Sequence, residues 1–361
     1  MKSARKSQKI WLLILAVIVA LVFFFRLPAE AAGRLEPVTA EQPDYGSQFV
    51  VVAADERIFT LFAALNAAGF DREYDGVAMS PIRQQVRAAL SGKDLPSLTR
   101  LKPFFDRIPD FHLVVWALQR GNPPSFERAE AGWWISTMAA GFEGLDEALE
   151  AFYQDAEISK LWKEVEPAYQ AEIHQYQPLA EQSLADIQAY LRTSEFPFRQ
   201  VVIIPNPLDA HYSGTGPQVG EIAYVVAGPS ETELSLKGLI EHEVLHSVIG
   251  PMLDQHKDQI SAQTSRRLYN VLKETMPSSY GSWSSVLEET LNRAINLRML
   301  DDPGLRAQQL ERLESNGFLL IKPLDHALAI YEQSSEPFDQ YLPILLASLE
   351  EVPPTLLPIS Q

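Results

Sequence analysis

His242, Glu243 and His246 stand in the run His-Glu-Val-Leu-His, the H-E-x-x-H spacing. On a helix, residues four apart share one face a turn apart. Both imidazoles can therefore converge on a single ion while Glu243 reaches a water beside it. Zinc lowers the pKa of such a water towards about 7, and Glu243 can take its proton and later pass it to a leaving amine. Leu239, Ile240, Val244, Leu245, Val248 and Ile249 make the flanks apolar nearly all round, so polar residues at 242, 243 and 246 need a reason. The plain alternative is a pair of core histidines satisfied by hydrogen bonds.

A catalytic zinc keeps one position for water and needs one further side chain. A third histidine in the longer H-E-x-x-H-x-x-G-x-x-H arrangement is excluded, because Ile249 and Met252 occupy the relevant positions. His256 lies among Asp254, Lys257 and Asp258, which reads as a solvent-exposed turn. The stronger source is the segment Ser284–Ile295, where Leu287, Leu291, Ala294 and Ile295 form an apolar helical face and Glu288 and Glu289 sit in the first turns. Either glutamate is also an ordinary acid near a helix N-terminus. Glu289 is preferred as the ligand because Arg293, one turn on, can orient its carboxylate.

The elements that must position these residues follow from periodicity. Ser230 and Glu233 fit a capping box that opens the motif helix, and Gly250-Pro251 reads as its end. Phe49–Val52, Val201–Ile204 and Glu221–Val226 are strand candidates, with a Gly- and Pro-rich loop over 206–220. Residues 55–192 read as helices divided by prolines, the last running from about 158 to 192 with a kink or break expected at Pro167 and Pro178. Beyond residue 258 the pattern is helical throughout. The fold class is α+β and predominantly helical, with a helical subdomain at 48–196 and a catalytic one at 197–352. His112, His174 and His326 lie on helical segments beside apolar residues and read as structural, and Trp133 and Trp134 as core aromatics.

Gly238–Ser247, taken with Glu289-Thr-Leu-Asn-Arg-Ala-Ile295, resembles the gluzincin class of metallopeptidases. It resembles more closely a family of largely uncharacterised exported bacterial H-E-x-x-H proteins that pair such a helix with a later Glu-x-x-x-Arg-Ala segment. The likeness extends more weakly to Asp55–Phe70 and Val201–Gly228. It implies a zincin-like core with a small sheet next to the motif helix, Zn2+ as cofactor, His242, His246 and Glu289 as ligands, and a peptide or protein substrate. Arg293 stands where the best-known gluzincins often have an Asp. In such enzymes a strand near the motif helix pairs with extended substrate, a place Glu221–Val226 is suited to fill, with an ordinary buried strand as the equal alternative. A Tyr or His also donates to the developing oxyanion, for which His211, Tyr212 and Tyr280 are the candidates.

The chain opens with Lys2, Arg5, Lys6 and Lys9, an apolar run from Ile10 to Phe25, and Ala29-Glu30-Ala31, the layout of an export signal over residues 1–31. The run falls just short of the roughly 20 residues of a spanning helix, so membrane attachment through residues 10–25 is the rival reading. A linker follows at 32–47. Both readings place the remainder outside the cytoplasm: periplasmic, extracellular, or on the outer face of the membrane. With no cysteine, disulfides, thiolate ligands and a cysteine nucleophile are excluded. A formal net charge of -17 disfavours nucleic-acid binding. The reading is a zinc metallohydrolase acting as a peptidase. The alternative is a catalytically inactive zinc-fold binding or scaffolding protein of the cell envelope.

Overall fold

The run Gln-Val-Val-Ile-Ile-Pro at 200–205 has no polar alternation, the pattern of a strand covered on both faces. In the computed structural model, which describes residues 43–73, 76–129, 141–276 and 280–353, each of these six residues is buried. The strand, β2 (Gln200–Pro205), pairs in parallel with β1 (Val50–Val52) and with β5 (Ile222–Ala227). Two short strands from the 206–220 loop, β3 (Gly214–Thr215) and β4 (Gln218–Val219), pair antiparallel with the other side of β5. The sheet is therefore mixed and five-stranded in a predominantly helical α+β chain. The export segment, with the run Ile10–Phe25, and Trp133 and Trp134 lie outside the described residues. Among the described residues no helix is long and apolar enough to cross a membrane.

Contacts divide the described residues into two units. The first takes those up to Glu181 together with Phe198–Ile240, and the second takes Gln182–Pro197 with those from Glu241 onward. In the first, α1 (Glu56–Ala67), α2 (Pro81–Leu90), α3 (Ser97–Phe105), α4 (Asp110–Leu118) and α5 (Leu145–Asp155) are separated by breaks at the expected Pro81, Pro109 and Pro123-Pro124, whereas Pro103, also expected to break the chain, lies inside α3. The next helix, α6 (Ile158–Leu191), runs through Pro167 and Pro178 without a break. Each proline removes one backbone bond, but Leu161, Val165, Tyr169, Tyr176 and Ala180 bury a continuous face and offset that loss.

The start of α1 shows how the first unit is fastened. Asp55 caps the helix, accepting from the amides of Arg57 and Ile58, and forms a buried ion pair with Arg57 at 2.6 Å. The Arg57 guanidinium also donates to the carbonyls of Leu118 and Arg120 and to the Tyr45 hydroxyl. Burial opposes the Asp55 charge, but Arg57 and Tyr45 hold its carboxyl below the usual range. A depressed folded pKa contributes stability that is present above the unfolded value of about 3.9 and is lost as pH falls through the folded one. Asp55→Ala leaves Arg57 buried without its partner. It is expected to destabilise the protein by about 3–5 kcal/mol at neutral pH in urea denaturation, with the difference from wild type shrinking in strong acid.

The motif helix, α7 (Glu233–His256), departs from expectation at both ends. Its cap is Thr232, whose Oγ1 accepts from the Ser235 amide at 3.1 Å while the Ser235 hydroxyl faces the Thr232 amide, rather than the Ser230–Glu233 pair. A serine completes the box as a glutamate would. At the other end the helix does not stop at Gly250-Pro251 but continues to His256. Pro251 costs a single bond, to the carbonyl of Ser247, and buried Val248, Ile249 and Leu253 hold the surrounding turns in place. Gly228, which turns the chain between β5 and α7, has to be glycine: a Cβ there would fall against the carbonyl oxygen of Ala210.

The second unit continues with α8 (Ala262–Thr275), α9 (Trp283–Arg298), α10 (Pro303–Ser315), α11 (Ile321–Tyr331) and α12 (Phe338–Ser348). α9 packs on α8, α10 and α11 and is buried along most of its length, from Val286 to Leu297.

Candidate metal centre

Two helices of very different character supply the site, and all of its residues belong to the second unit. The middle of α7 is buried on every side from Ile240 to Gly250, so a polar side chain there has no water to turn to. His242 and His246, one turn apart, face each other with ring centroids 4.8 Å apart and planes at 85°. Their Nε2 atoms lie 3.3 Å from each other. α9 starts at a Ser282 cap that accepts from the Ser285 amide, and this fixes the phase of the helix so that Glu289 meets the histidines. The Glu289 carboxylate stands 3.6 Å from His242 Nε2 and 3.5 Å from His246 Nε2. These three groups are the one set of metal-holding geometry among the described residues, with ligand atoms within 4.8 Å of one another.

Three features of the chemistry fit a cation at this point. His246 Nδ1 is 2.9 Å from Glu288 Oε1, a contact in which Nδ1 carries a proton to the carboxylate and Nε2 is the nitrogen turned toward His242 and Glu289. Burial, reinforced by His246 and Arg293, lowers the pKa of His242 well below its usual value, keeping the ring in the neutral form that ligates metals. Burial also disfavours a charged His246, but the carboxylates of Glu288, Glu289 and Glu243 overcome it and raise that pKa to about 9, the signature of a position that attracts positive charge. Three buried carboxylates, those of Glu243, Glu288 and Glu289, surround the pair, and Arg293 pairs with Glu289.

Around the ligands, Arg293 pairs with Glu289 at 2.6 Å and lies over the ring of Phe318, with its charge favoured by Glu289 and Tyr280 despite burial. The Tyr280 hydroxyl is hydrogen-bonded with Glu289 and Arg293, and burial pushes its pKa up. Tyr280 thus touches the Glu289 carboxylate. Glu243, the residue following His242, is fully buried. Asn292, one turn after Glu288, lies 3.0 Å from His246 Nδ1.

The other sequence candidates sit elsewhere. His211 and Tyr212 belong to the first unit, where His211 Nδ1 lies 3.3 Å from Glu73 and the Tyr212 hydroxyl donates to Glu231 at 2.6 Å. His256 is the last residue of α7 and outside the metal-holding set. His112 is buried and its pKa lowered by that burial, whereas His174 and His326 are exposed on their helices. The expectation that the 221–226 strand offers an open edge for substrate is overturned. β5 is paired on both sides, by β2 over its whole length and by β3 and β4 at its two ends. The short return strands that close it are two residues each, too brief to leave a periodic signal. Sequence reading also missed Glu288 and Asn292 as neighbours of His246, and Gly250 as the residue that faces Glu288. The adjacency of two glutamates was the available signal, and it was read as a choice of ligand.

Residues 228–348 match the model of a family described as a domain of unknown function, DUF4932. The match spans the motif helix through α12 and includes every residue of the candidate centre. No curated protein and no solved structure matches the chain.

Proposed function

We propose that this chain is a zinc-dependent hydrolase of amide bonds, a peptidase in the first instance, with His242, His246 and Glu289 as its metal ligands and Glu243 as its general base. The observation that carries the reading is the convergence of two imidazole nitrogens and one carboxylate, all three side chains buried, with ligand atoms within 4.8 Å of one another. Zinc in such a position supplies a Lewis acid and a water of lowered pKa. Glu243, on the same helix as both histidines, is the group suited to take that proton and return it to the leaving nitrogen. Arg293 and Tyr280 orient Glu289, and a ligand held in one orientation is what a site with only three protein ligands requires. Since β5 is paired on both sides, an extended substrate is held by some surface other than that strand.

The purified chain is expected to carry near-stoichiometric zinc and to cleave an unstructured protein. A chelator should abolish cleavage, and readdition of zinc should restore it. Zinc without turnover would remove the hydrolase and leave a zinc-holding binding or scaffolding protein of the cell envelope. Failure to hold zinc would remove the site itself.

A further inference from the structure

Gly250 has no place in a helix that continues for another six residues, since glycine in a helix interior costs about 1 kcal/mol relative to alanine. Its surroundings give the reason. A Cβ at Gly250 would stand 3.2 Å from Glu288 Oε1, 3.3 Å from Cδ and 3.4 Å from Oε2, inside ordinary van der Waals contact with the whole carboxylate. That same Oε1 is the atom 2.9 Å from His246 Nδ1. Gly250 is one turn beyond His246 on α7, and Glu288 comes from α9, so the missing side chain is the space through which the carboxylate reaches the back of the imidazole.

The geometry points to Glu288 as the positioning residue of His246, seated by Gly250. Resting on the zinc reading above, this gives the two adjacent glutamates separate roles. Glu289 meets the point that both Nε2 atoms face, and Glu288 grips the far nitrogen of one ring. The grip fixes the tautomer with the Nε2 lone pair toward the ion, holds the plane of the ring and strengthens the nitrogen as a donor. The Gly250-Pro251 pair, which looks like a helix stop, is thus a gap in the wall of α7 that lets a second helix reach a ligand.

The test is zinc affinity, measured by chelator competition on the full chain, for wild type, Glu288→Gln, Glu288→Ala and Gly250→Ala, with the thermal midpoint of each zinc-free protein alongside. Glutamine retains an oxygen that accepts from Nδ1, so Glu288→Gln is expected to stay within a few-fold of wild type, while Glu288→Ala falls by about 10- to 100-fold. Gly250→Ala is expected to weaken zinc by about 10-fold while the zinc-free midpoint holds or rises, because alanine favours helix. That split separates positioning from fold maintenance, and it stands even if Glu288→Ala does not fold. Affinities unchanged in Glu288→Ala and Gly250→Ala, beside a wild type that binds zinc, would overturn this inference alone. A wild type that holds no zinc overturns the underlying reading and this inference with it.

Discussion

Glu243→Gln is expected to bind zinc as wild type does and to lose turnover by about 10²- to 10⁴-fold, the contribution typical of a positioned general base. The substitution keeps the shape and volume of a side chain that has no exposure, so packing in the centre of α7 is preserved. What it removes is the capacity to accept a proton. It also removes one of three buried carboxylates beside the histidine pair. The zinc-free variant is therefore expected to be no less stable than wild type, because an ionised group in a low-dielectric interior is costly. The measurement pairs kcat on an unstructured protein with metal content and thermal midpoint. Loss of zinc along with turnover would mean that Glu243 acts through the fold of the site. Retained turnover would mean that the base is another residue.

The parts of this site that were legible in sequence are those whose geometry is local. His242, Glu243 and His246 lie within five residues of one helix, so their relation depends only on the helical repeat, and the apolar flanks of α7 make that helix certain to form. The strands at 50–52, 200–205 and 222–227 were legible for the same reason, as short runs of β-branched residues. The relation of Glu289 to the histidines is tertiary. Arg293, one turn on, gave the preference for Glu289 over Glu288, and the resemblance pointed the same way. The role of Glu288 was illegible because it depends on an absence, the missing side chain of Gly250 on another helix. Glycine followed by proline has a strong local meaning as a helix stop, and tertiary packing overrode that meaning. The long helix α6 was legible in spite of Pro167 and Pro178, since a buried face outweighs two missing backbone bonds. The sheet edge failed for a different reason: β3 and β4 carry too few residues to show a period, yet they decide that β5 is interior.

Glu289→Ala is expected to abolish zinc-dependent stabilisation, an effect larger than the roughly 100-fold that loss of a supporting partner costs. In wild type, zinc at about 100 times its dissociation constant adds about 2.7 kcal/mol to the folded state, seen as a rise in the melting midpoint on titration. Without Glu289 two imidazoles remain, and the rise should vanish across the same zinc range. The zinc-free variant should also melt lower than wild type. Arg293 is almost entirely enclosed, with Glu289 as its ion-pair partner at 2.6 Å, and a buried guanidinium deprived of its carboxylate costs about 3–5 kcal/mol. Glu289→Gln separates the two effects: its amide oxygen can still accept from Arg293 and Tyr280, so the zinc-free midpoint should lie nearer wild type while zinc binding stays weak. The adjacent Glu288→Ala is the control, since its zinc-induced rise should be shifted to higher zinc but still reached. If Glu288→Ala eliminated the rise and Glu289→Ala preserved it, the assignment of ligand and positioning residue would be reversed. The metal would then be held through His246 Nδ1, the nitrogen that Glu288 contacts, and not through Nε2.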